Sequence, residues 1–491
     1  MGTIRRVAFC LSVFLVASGI ARAQSWTKLA NQPSFSASNQ LLLTDGTVIA
    51  HNGCAADWWR LTPDNTGSYV NGVWTQIASL PSGYEPLYFA SAVLPDGRVI
   101  VEGGEYNACV PVWSNLGAIY DPQADSWTPV DPPDGWDTIG DAQSVVLPNG
   151  TFMLANCCTK ESALFDEGAL TWTATGAGKF TVHDEEGWTL LPGLSGRVLT
   201  VDGYVFSYDA GGTNSEIYDP ATGTWSSAGS TIVQLWDSYP DASHASYELG
   251  PAVLRPDGTV FATGATGAPH TPGHTAIFDT HSGVWIPGPD FPHHFDVADG
   301  PAALLPNGNV LVQTSPGIFK RHSDFFEWNG TSLIDVPSPP PANSEPSYLG
   351  NMLVLPTGEI LWTDISGHAW VYRSTGLPLP SWAPTIDAAT TTITRGATYL
   401  ISGHNLNGLS QGAAYGDDAQ AATNYPLVRI KNRTSGHVFY ARTHDHSTMA
   451  VAYSGTASTF YDVPPSMETG AADLVVVTNG IPSAPIAVTV Q

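Results

Sequence analysis

The sequence predicts an all-β protein, a seven-bladed β-propeller followed by a β-sandwich. Three observations support this prediction. A hairpin phrase, with an apolar strand, a two-residue turn ending in glycine and a second apolar strand, recurs seven times. Only 13% of the residues are charged, whereas the chain has 49 glycines and 38 prolines, a composition typical of turn-rich β structure. Segments with the apolar spacing of a helix are almost absent.

The seven hairpin turns define an internal repeat. Their glycines lie 46 to 62 residues apart and mostly near 50, which is the period of one blade in a kelch-type propeller. A second hairpin follows each turn, as in Ile119-Tyr120-Asp121 with Trp127. Two hairpins make a four-stranded sheet, and such sheets bury their faces by packing around an axis. The turns are Asp45-Gly46, Asp96-Gly97, Asn149-Gly150, Ser195-Gly196, Asp257-Gly258, Asn307-Gly308 and Thr357-Gly358.

Both ends of the propeller follow from the same repeat. Ser25-Trp26-Thr27 resembles the outermost strand of a blade, so we expect it to close the ring by pairing with the last repeat. The repeat stops at a proline-punctuated linker over 377–384, and short apolar strands without the hairpin phrase continue beyond it. We therefore predict the propeller over 24–380 and an immunoglobulin-like sandwich over 385–491.

Residues 1–23 have the pattern of an export signal. Arg5-Arg6 precede an apolar run that ends at Ile20, and Ala21-Arg22-Ala23 forms a small-residue cleavage site. The run is too short to span a bilayer, so the sequence predicts a protein that is secreted or periplasmic. The general and the twin-arginine export routes both stay open.

The charge balance is strongly acidic. Lys and Arg total 18 against 44 Asp and Glu, and the net charge of −26 becomes about −29 without the three arginines of the leader. Nucleic acids and anionic membranes favour cationic surfaces, so the composition argues against both as partners. We expect the ligand to be a carbohydrate or another small extracellular molecule that is neutral or cationic. The alternative is that the negative charge serves only the solubility of the protein.

Seven kelch repeats with glycine pairs such as Gly103-Gly104, followed by a C-terminal sandwich, resemble the galactose oxidase and glyoxal oxidase superfamily of secreted copper-radical oxidases. The resemblance covers nearly the whole chain after the leader. It implies an early-set immunoglobulin-like domain at the C-terminus. It also implies a copper site made of two tyrosines, two histidines and a cysteine that is thioether-linked to one tyrosine.

Only part of that implied copper site has a counterpart in this sequence. Tyr88, seven residues before Pro95, stands at the position of the radical tyrosine, and Tyr348 matches the second tyrosine. The residue after it is Leu349 where the pattern has histidine, and the first strand of blade one, around 36–39, has no cysteine.

The resemblance assigns the last copper ligand to a histidine that a loop of the C-terminal domain brings to the propeller axis. His444 or His446 is the candidate. One imidazole and two phenols make a poor copper(II) site, so we expect the protein not to hold copper. Tyr88 and Tyr348 remain the catalytic candidates if it does.

The first residues of the innermost strands face the axis at one mouth of the propeller, and most of them are acidic. Carboxylates that lie close together raise one another's pKa or require a cation, and calcium binds through oxygen ligands. Three interpretations stay open: a ligand or cation site, a general acid–base pair, and the polar lining of a water-filled channel. The residues are Tyr88, Asp141, Glu185 or Glu186, Glu248, Asp299 and Tyr348, with Ala37 or Ser38 in blade one.

Four cysteines remain after the leader, and all fall on the loops around this same mouth. A disulfide between neighbouring loops, Cys54 with Cys109 or Cys54 with Cys157, is the expected pairing outside the cytoplasm. A vicinal ring between Cys157 and Cys158 is the strained alternative. Asp417-Asp418 is interpreted as part of a loop of the sandwich.

Two classes of function follow from these residues. The first is a binding protein that holds carbohydrate or another extracellular ligand at the acidic mouth. The second is an enzyme, either a copper-radical oxidase of sugars or aldehydes or a carboxylate-based hydrolase or lyase.

Overall fold

The structure is a computed structural model that describes residues 24–175, 178–203, 212–239, 246–266, 268–417 and 419–491. The leader over 1–23, from which export was predicted, lies outside these residues. No helix in the described ranges is long and apolar enough to cross a membrane. The described helices are four short 3-10 turns, at Pro292–His294, Pro340–Ser344, Ser347–Leu349 and Pro380–Trp382. The predicted all-β class is confirmed.

Seven antiparallel sheets form the propeller, as the repeat predicted; six have four strands, and the sheet of blade six gains a fifth, Ala413–Ala414, from the second domain. In blades one to six the strands follow sequence order outward from the axis, and the innermost strands lie side by side around it. The strands of blades one to three are Ala37–Leu42, Val48–Asn52, Trp58–Thr62 and Val73–Ile77; Ala90–Val93, Val99–Glu102, Gly117–Asp121 and Ser126–Val130; and Ser144–Val146, Phe152–Ala155, Ser162–Asp166 and Thr171–Ala174. Those of blades four to six are Thr189–Leu190, Val198–Val201, Asn214–Asp219 and Thr224–Ser230; Leu249–Leu254, Thr259–Gly264, Thr275–Asp279 and Val284–Pro287; and Ala302–Leu304, Val310–Thr314, Asp324–Trp328 and Leu333–Val336.

Blade seven is assembled from both ends of the propeller. Three strands come from the last repeat, and Ser25–Lys28 adds the outermost strand by antiparallel pairing with the third of them. Trp26 lies opposite Tyr372, and their ring centroids are 4.9 Å apart. The predicted closure of the ring by the N-terminal strand is confirmed. The three strands are Asn351–Val354, Ile360–Thr363 and Ala369–Arg373.

The outer tryptophans of blades two and three join each of these blades to the one before it. The Trp127 indole donates to the carbonyl of Ala78 over 2.9 Å, and the Trp172 indole donates to Asp131 O over 2.8 Å. Each indole therefore satisfies its N–H while its ring is packed within its own blade. A residue type repeated at one place in the blade thus produces a repeated contact between blades.

The second domain contains the remaining long strands. They hydrogen-bond in one path, which folds into a sandwich around buried side chains such as Ile401, Val428 and Val476. In path order the strands are Thr385–Ala388, Thr398–His404, Ala457–Asp462, Val438–His444, Leu427–Asn432, Gly470–Thr478, Ile486–Val490 and Thr392–Ile393, with Ile481–Pro482 beside Gly470–Thr478.

The sandwich packs on the face of the propeller that carries the hairpin turns. A methyl group added to Gly46 or Gly97 would lie 2.4 Å from the Tyr440 ring or 3.3 Å from Thr443 O. Both glycines have positive φ, 77° and 87°, which the tight turn requires. The opposite face, where the innermost strands begin, is left as an open mouth.

Candidate functional site

The floor of the mouth comes from the sandwich, through a segment that runs into the propeller axis. We call residues 411–420 the axial segment. Its short strand Ala413–Ala414 pairs with the innermost strand of blade six, Ala302–Leu304. The Gln411 Oε1 atom accepts a hydrogen bond from the backbone N–H of Leu190 in blade four over 2.8 Å. The axial segment is therefore fixed to blades four and six.

The tip of the axial segment reaches the acidic residues predicted from the innermost strands. A methyl group added to Gly416 would lie 2.6 Å from Asp299 Oδ1, so a side chain there would displace the Asp299 carboxylate. Asp417 follows, and its carboxylate lies beside those of Asp141 and Glu185. We call Asp141, Glu185, Glu248, Asp299 and Asp417 the acidic ring.

The acidic ring contains two overlapping groups of three carboxylates. One oxygen each from Glu185, Glu248 and Asp299 lie within 4.8 Å of one another, and the same holds for Asp141, Glu185 and Asp417. Two oxygens bound to one calcium ion at about 2.4 Å are separated by at most about 4.8 Å. The carboxylates are therefore close enough to share a single cation.

Backbone conformation aims several of these side chains at the axis. Tyr88, Glu185 and Asp299 each precede an innermost strand and have φ of 52°, 56° and 47°. A left-handed conformation costs a non-glycine residue roughly 1–2 kcal/mol. The same unfavourable turn in three blades places their side chains at the mouth, a pattern that often accompanies functional sites.

Burial and mutual repulsion raise the pKa values of the acidic ring. Burial raises the pKa of Asp141 to about 8, with a further contribution from Glu105, and that of Asp299 to about 6. The pKa values of Glu185 and Glu248 are also well above the usual range, first through burial and then through neighbouring carboxylates. Reducing the negative charge of the ring, by protonation or by a bound cation, is therefore favourable.

Within the acidic ring, the carboxyl group of Glu248 lies in unfavourable surroundings. Its side chain is buried in the ring, with the residue 8% exposed, and its Oε2 atom has no hydrogen-bond partner in the described structure. A buried carboxylate oxygen without a partner loses the solvation it has in water. The site therefore offers an oxygen ligand that the protein itself does not satisfy.

Tyrosines surround the acidic ring. The rings of Tyr88 and Tyr106 are 6.2 Å apart and edge-on, and those of Tyr88 and Tyr415 are 6.4 Å apart and stacked. The Tyr415 hydroxyl donates to the backbone carbonyl of Tyr348 over 2.5 Å. Tyr88 and Tyr348 thus lie at the same mouth, as the sequence predicted, on either side of the axial segment.

The structure distinguishes the two residues that the sequence left open in blade four. Glu185 belongs to the acidic ring, whereas Glu186 is completely buried and its Oε1 atom lies 3.1 Å from Lys179 Nζ. The same ammonium group contacts Asp202 and, at 2.8 Å, Glu216. The expectation that Glu186 lines the mouth is therefore corrected: it is part of a buried ion cluster.

The structure also corrects the position expected for His444 and His446. His446 N donates to the carbonyl of Pro95, in a turn on the sandwich side, and its Nδ1 atom lies 2.9 Å from Thr459 Oγ1. His444 ends the strand Val438–His444 and lies between Asp445 and Asp462. Neither histidine reaches the acidic ring, because the sandwich holds both on the opposite face of the propeller.

The cysteines take one of the expected pairings. Cys54 and Cys109 form a disulfide that joins the mouth loops of blades one and two. Cys157 and Cys158 are adjacent to the acidic ring and are not bonded to either of these. The alternative pairing of Cys54 with Cys157 is excluded in this structure.

Sequence reasoning missed several residues of the mouth. Glu105 has its pKa raised to about 7 by burial and by Asp299, and it lies beside Tyr106 on the loop after the second strand of blade two. Asp417 had been interpreted as part of a sandwich loop; Asp418 lies outside the described residues. The sequence carried a signal for Glu105 and Tyr106, because the connections after each second strand open onto this mouth.

Comparison with known proteins supports the fold and leaves the site open. No family model matches the chain. The Kelch-like protein terF of Aspergillus terreus is 29% identical over 128 residues, which span 26% of this chain and only 26% of that protein. A fungal alcohol oxidase of the AA5 family, solved in complex with copper, matches with a TM-score of 0.50 at 14% identity, over 96% of this chain and 100% of its own. YjhT gives a TM-score of 0.42 at 15% identity, over 62% of this chain and 99% of its own.

The match to the alcohol oxidase covers both the propeller and the second domain. The resemblance to galactose oxidase-like kelch proteins is thereby confirmed for the architecture. The donor set of this chain does not fit the copper-radical site that the resemblance implies. The axial segment brings Tyr415 to the mouth, Leu349 follows Tyr348, and the candidate metal groups in the described residues contain no histidine. Copper(II) favours nitrogen donors, whereas carboxylate oxygens suit harder cations.

Proposed function

We propose that this is an exported binding protein that holds a calcium ion in the acidic ring and binds a neutral, polyhydroxylated ligand of the carbohydrate class over it. The observation that carries the proposal is the group formed by Glu185, Glu248 and Asp299. Their oxygens lie within 4.8 Å of one another, and Glu248 contributes a buried oxygen without a partner.

Calcium suits these residues better than the alternatives. It is a hard cation with oxygen ligands and a flexible coordination number of six to eight. Burial, and then the neighbouring carboxylates, raise the pKa values of Glu185 and Glu248, so a divalent ion would relieve the repulsion within the ring. Magnesium requires nearly octahedral coordination and retains several of its water ligands. Irregularly spaced loop carboxylates therefore suit magnesium less well than calcium.

A polyhydroxylated ligand fits what the ring leaves open. Three carboxylates fill part of a calcium coordination shell, and ligand hydroxyl groups can fill the rest. Tyr88, Tyr106 and Tyr348 are partly exposed and offer ring faces and hydroxyl groups around the ion. The acidic composition of the chain favours a ligand without negative charge.

The test has two stages. First, the chelator-treated protein is heated with and without calcium; we expect a higher unfolding temperature with calcium and a smaller effect of magnesium. Second, the protein is applied to a panel of immobilised neutral and anionic glycans in calcium or in chelator, where we expect calcium-dependent retention on neutral glycans. Thermal behaviour that ignores calcium would overturn the cation site.

Two variants and one control locate the effect. Glu248→Gln and Asp299→Asn each remove a carboxylate from the group and should abolish the calcium response. Asp134→Asn changes an exposed carboxylate that is not part of the acidic ring and should retain the calcium response. Peroxide production from sugars or aldehydes, or calcium-independent cleavage of a glycan that requires Asp141, would replace the proposal with the oxidase or the hydrolase, respectively.

A further inference from the structure

The cysteine pair beside the acidic ring is held in a geometry that brings its two sulfur atoms together. Cys157 and Cys158 follow the second strand of blade three, and their Sγ atoms are 2.6 Å apart. A disulfide bond is about 2.05 Å long. The two sulfurs are thus much nearer to bonding distance than neighbouring side chains in an extended chain, which point in opposite directions.

The backbone on both sides of the pair is fixed by neighbouring segments. The N–H group of Cys157 donates to Ile139 O over 2.9 Å, and that of Cys158 donates to His183 O over 2.6 Å. Cys158 has a positive φ of 66°, which turns its side chain back toward Cys157. Bond formation therefore needs only a small movement of the two side chains.

The pair is also in contact with a carboxylate beside the acidic ring. Cys158 Sγ lies 3.5 Å from Asp184 Oδ1, and Asp184 directly precedes Glu185 of the acidic ring. Cys157 is buried, with 3% of its surface exposed, whereas Cys158 is partly open to solvent. Cys158 is therefore the sulfur that an external reagent can reach.

We propose that Cys157 and Cys158 form a reversible vicinal disulfide, which removes the thiol hydrogen that Cys158 donates to Asp184 beside the acidic ring. The oxidant is a small-molecule disulfide such as oxidised glutathione. The Cys158 thiolate attacks one glutathione sulfur, which forms a mixed disulfide and releases one glutathione. The Cys157 sulfur then attacks Cys158 Sγ and releases the second. Two protein thiols become one disulfide, and one oxidised glutathione becomes two thiols.

Peptide mapping tests the disulfide. The full-length protein is incubated with oxidised glutathione, denatured without reductant and treated with N-ethylmaleimide. We expect the peptide with Cys157 and Cys158 to take up no reagent and to be lighter than the dithiol peptide by two hydrogen atoms. After reduction it should take up two equivalents. The Cys54–Cys109 pair is the internal control for a disulfide. Two equivalents on the unreduced peptide would overturn the proposal.

Discussion

Replacement of Asp299 by asparagine should have opposite effects on the calcium-free and the calcium-loaded protein. The carboxyl group of Asp299 lies next to Glu248 and Glu185, and burial raises its pKa from 3.8 to about 6. A carboxyl group with a raised pKa in the folded state destabilises that state wherever the group must ionise. Asparagine has nearly the same shape, carries no charge and can donate to Glu248.

The magnitude follows from the pKa difference. A rise of about two units corresponds to about 3 kcal/mol, since one unit is 1.36 kcal/mol. The folded state binds more protons than the unfolded state between about pH 4 and pH 6. Stability therefore falls as the pH rises through this window, and the full penalty is present above it. Asp299→Asn should stabilise the calcium-free protein at pH 8 by up to about 3 kcal/mol and change it little at pH 4.

Thermal unfolding of chelator-treated proteins at both pH values measures this effect. With an unfolding entropy of about 2 cal/mol/K per residue, 3 kcal/mol corresponds to a rise in Tm of about 3 °C for a chain of this length. Calcium should raise the Tm of the wild-type protein at pH 8 and leave that of Asp299→Asn unchanged. A variant that is less stable than wild type without calcium, yet still stabilised by calcium, would refute the reasoning.

Three further predictions concern the scaffold. Lys179→Met should lower the free energy of unfolding by about 3–5 kcal/mol, because Glu186, Asp202 and Glu216 lose the cation that neutralises them in the interior. Lys160→Met, at the surface, is the control and should have little effect. Denaturant unfolding measures both variants. Trp26→Ala should lower the free energy of unfolding by about 3 kcal/mol and loosen blade seven, since Trp26 packs on Phe325, Trp362 and Tyr372. Thr27→Ala is the exposed control, and faster hydrogen exchange in Ala369–Arg373 would report the loosening. Cys54→Ser/Cys109→Ser should lower the free energy of unfolding by about 2–4 kcal/mol, because the disulfide no longer constrains a 55-residue loop in the unfolded chain. Equal Tm values for the variant and the oxidised wild type would contradict this.

The repeat carried most of the fold prediction because its physical signal is local. Each turn has glycine at positive φ, and in five of the seven an Asp or Asn accepts a hydrogen bond from the backbone N–H two residues on, as Asp96 does from Arg98 over 2.9 Å. The same turns supplied a register for the strands, and counting back from them identified Asp141, Glu248 and Asp299. The ring closure by Ser25–Lys28 followed because that strand has the outer-strand pattern.

The rest of the site depends on backbone turns and long-range contacts that no local pattern encodes. Glu185 and Glu186 are adjacent, and the choice between them was set by the left-handed backbone at Glu185 and the distant Lys179. Asp417 lies in a segment that has neither the hairpin repeat nor an alternation of apolar and polar residues. It reaches the acidic ring only because the axial segment runs into the propeller axis. His444 was expected there by resemblance alone, but it ends a strand of the sandwich.

Calcium titration by isothermal calorimetry tests the central claim most directly. Chelator-treated wild-type protein, Glu248→Gln and Asp134→Asn are titrated at neutral pH, with circular dichroism to verify that all three are folded. The acidic ring predicts one calcium ion per chain for the wild type and Asp134→Asn, and no binding for Glu248→Gln. Equal binding by all three proteins, or none by the wild type, would contradict it.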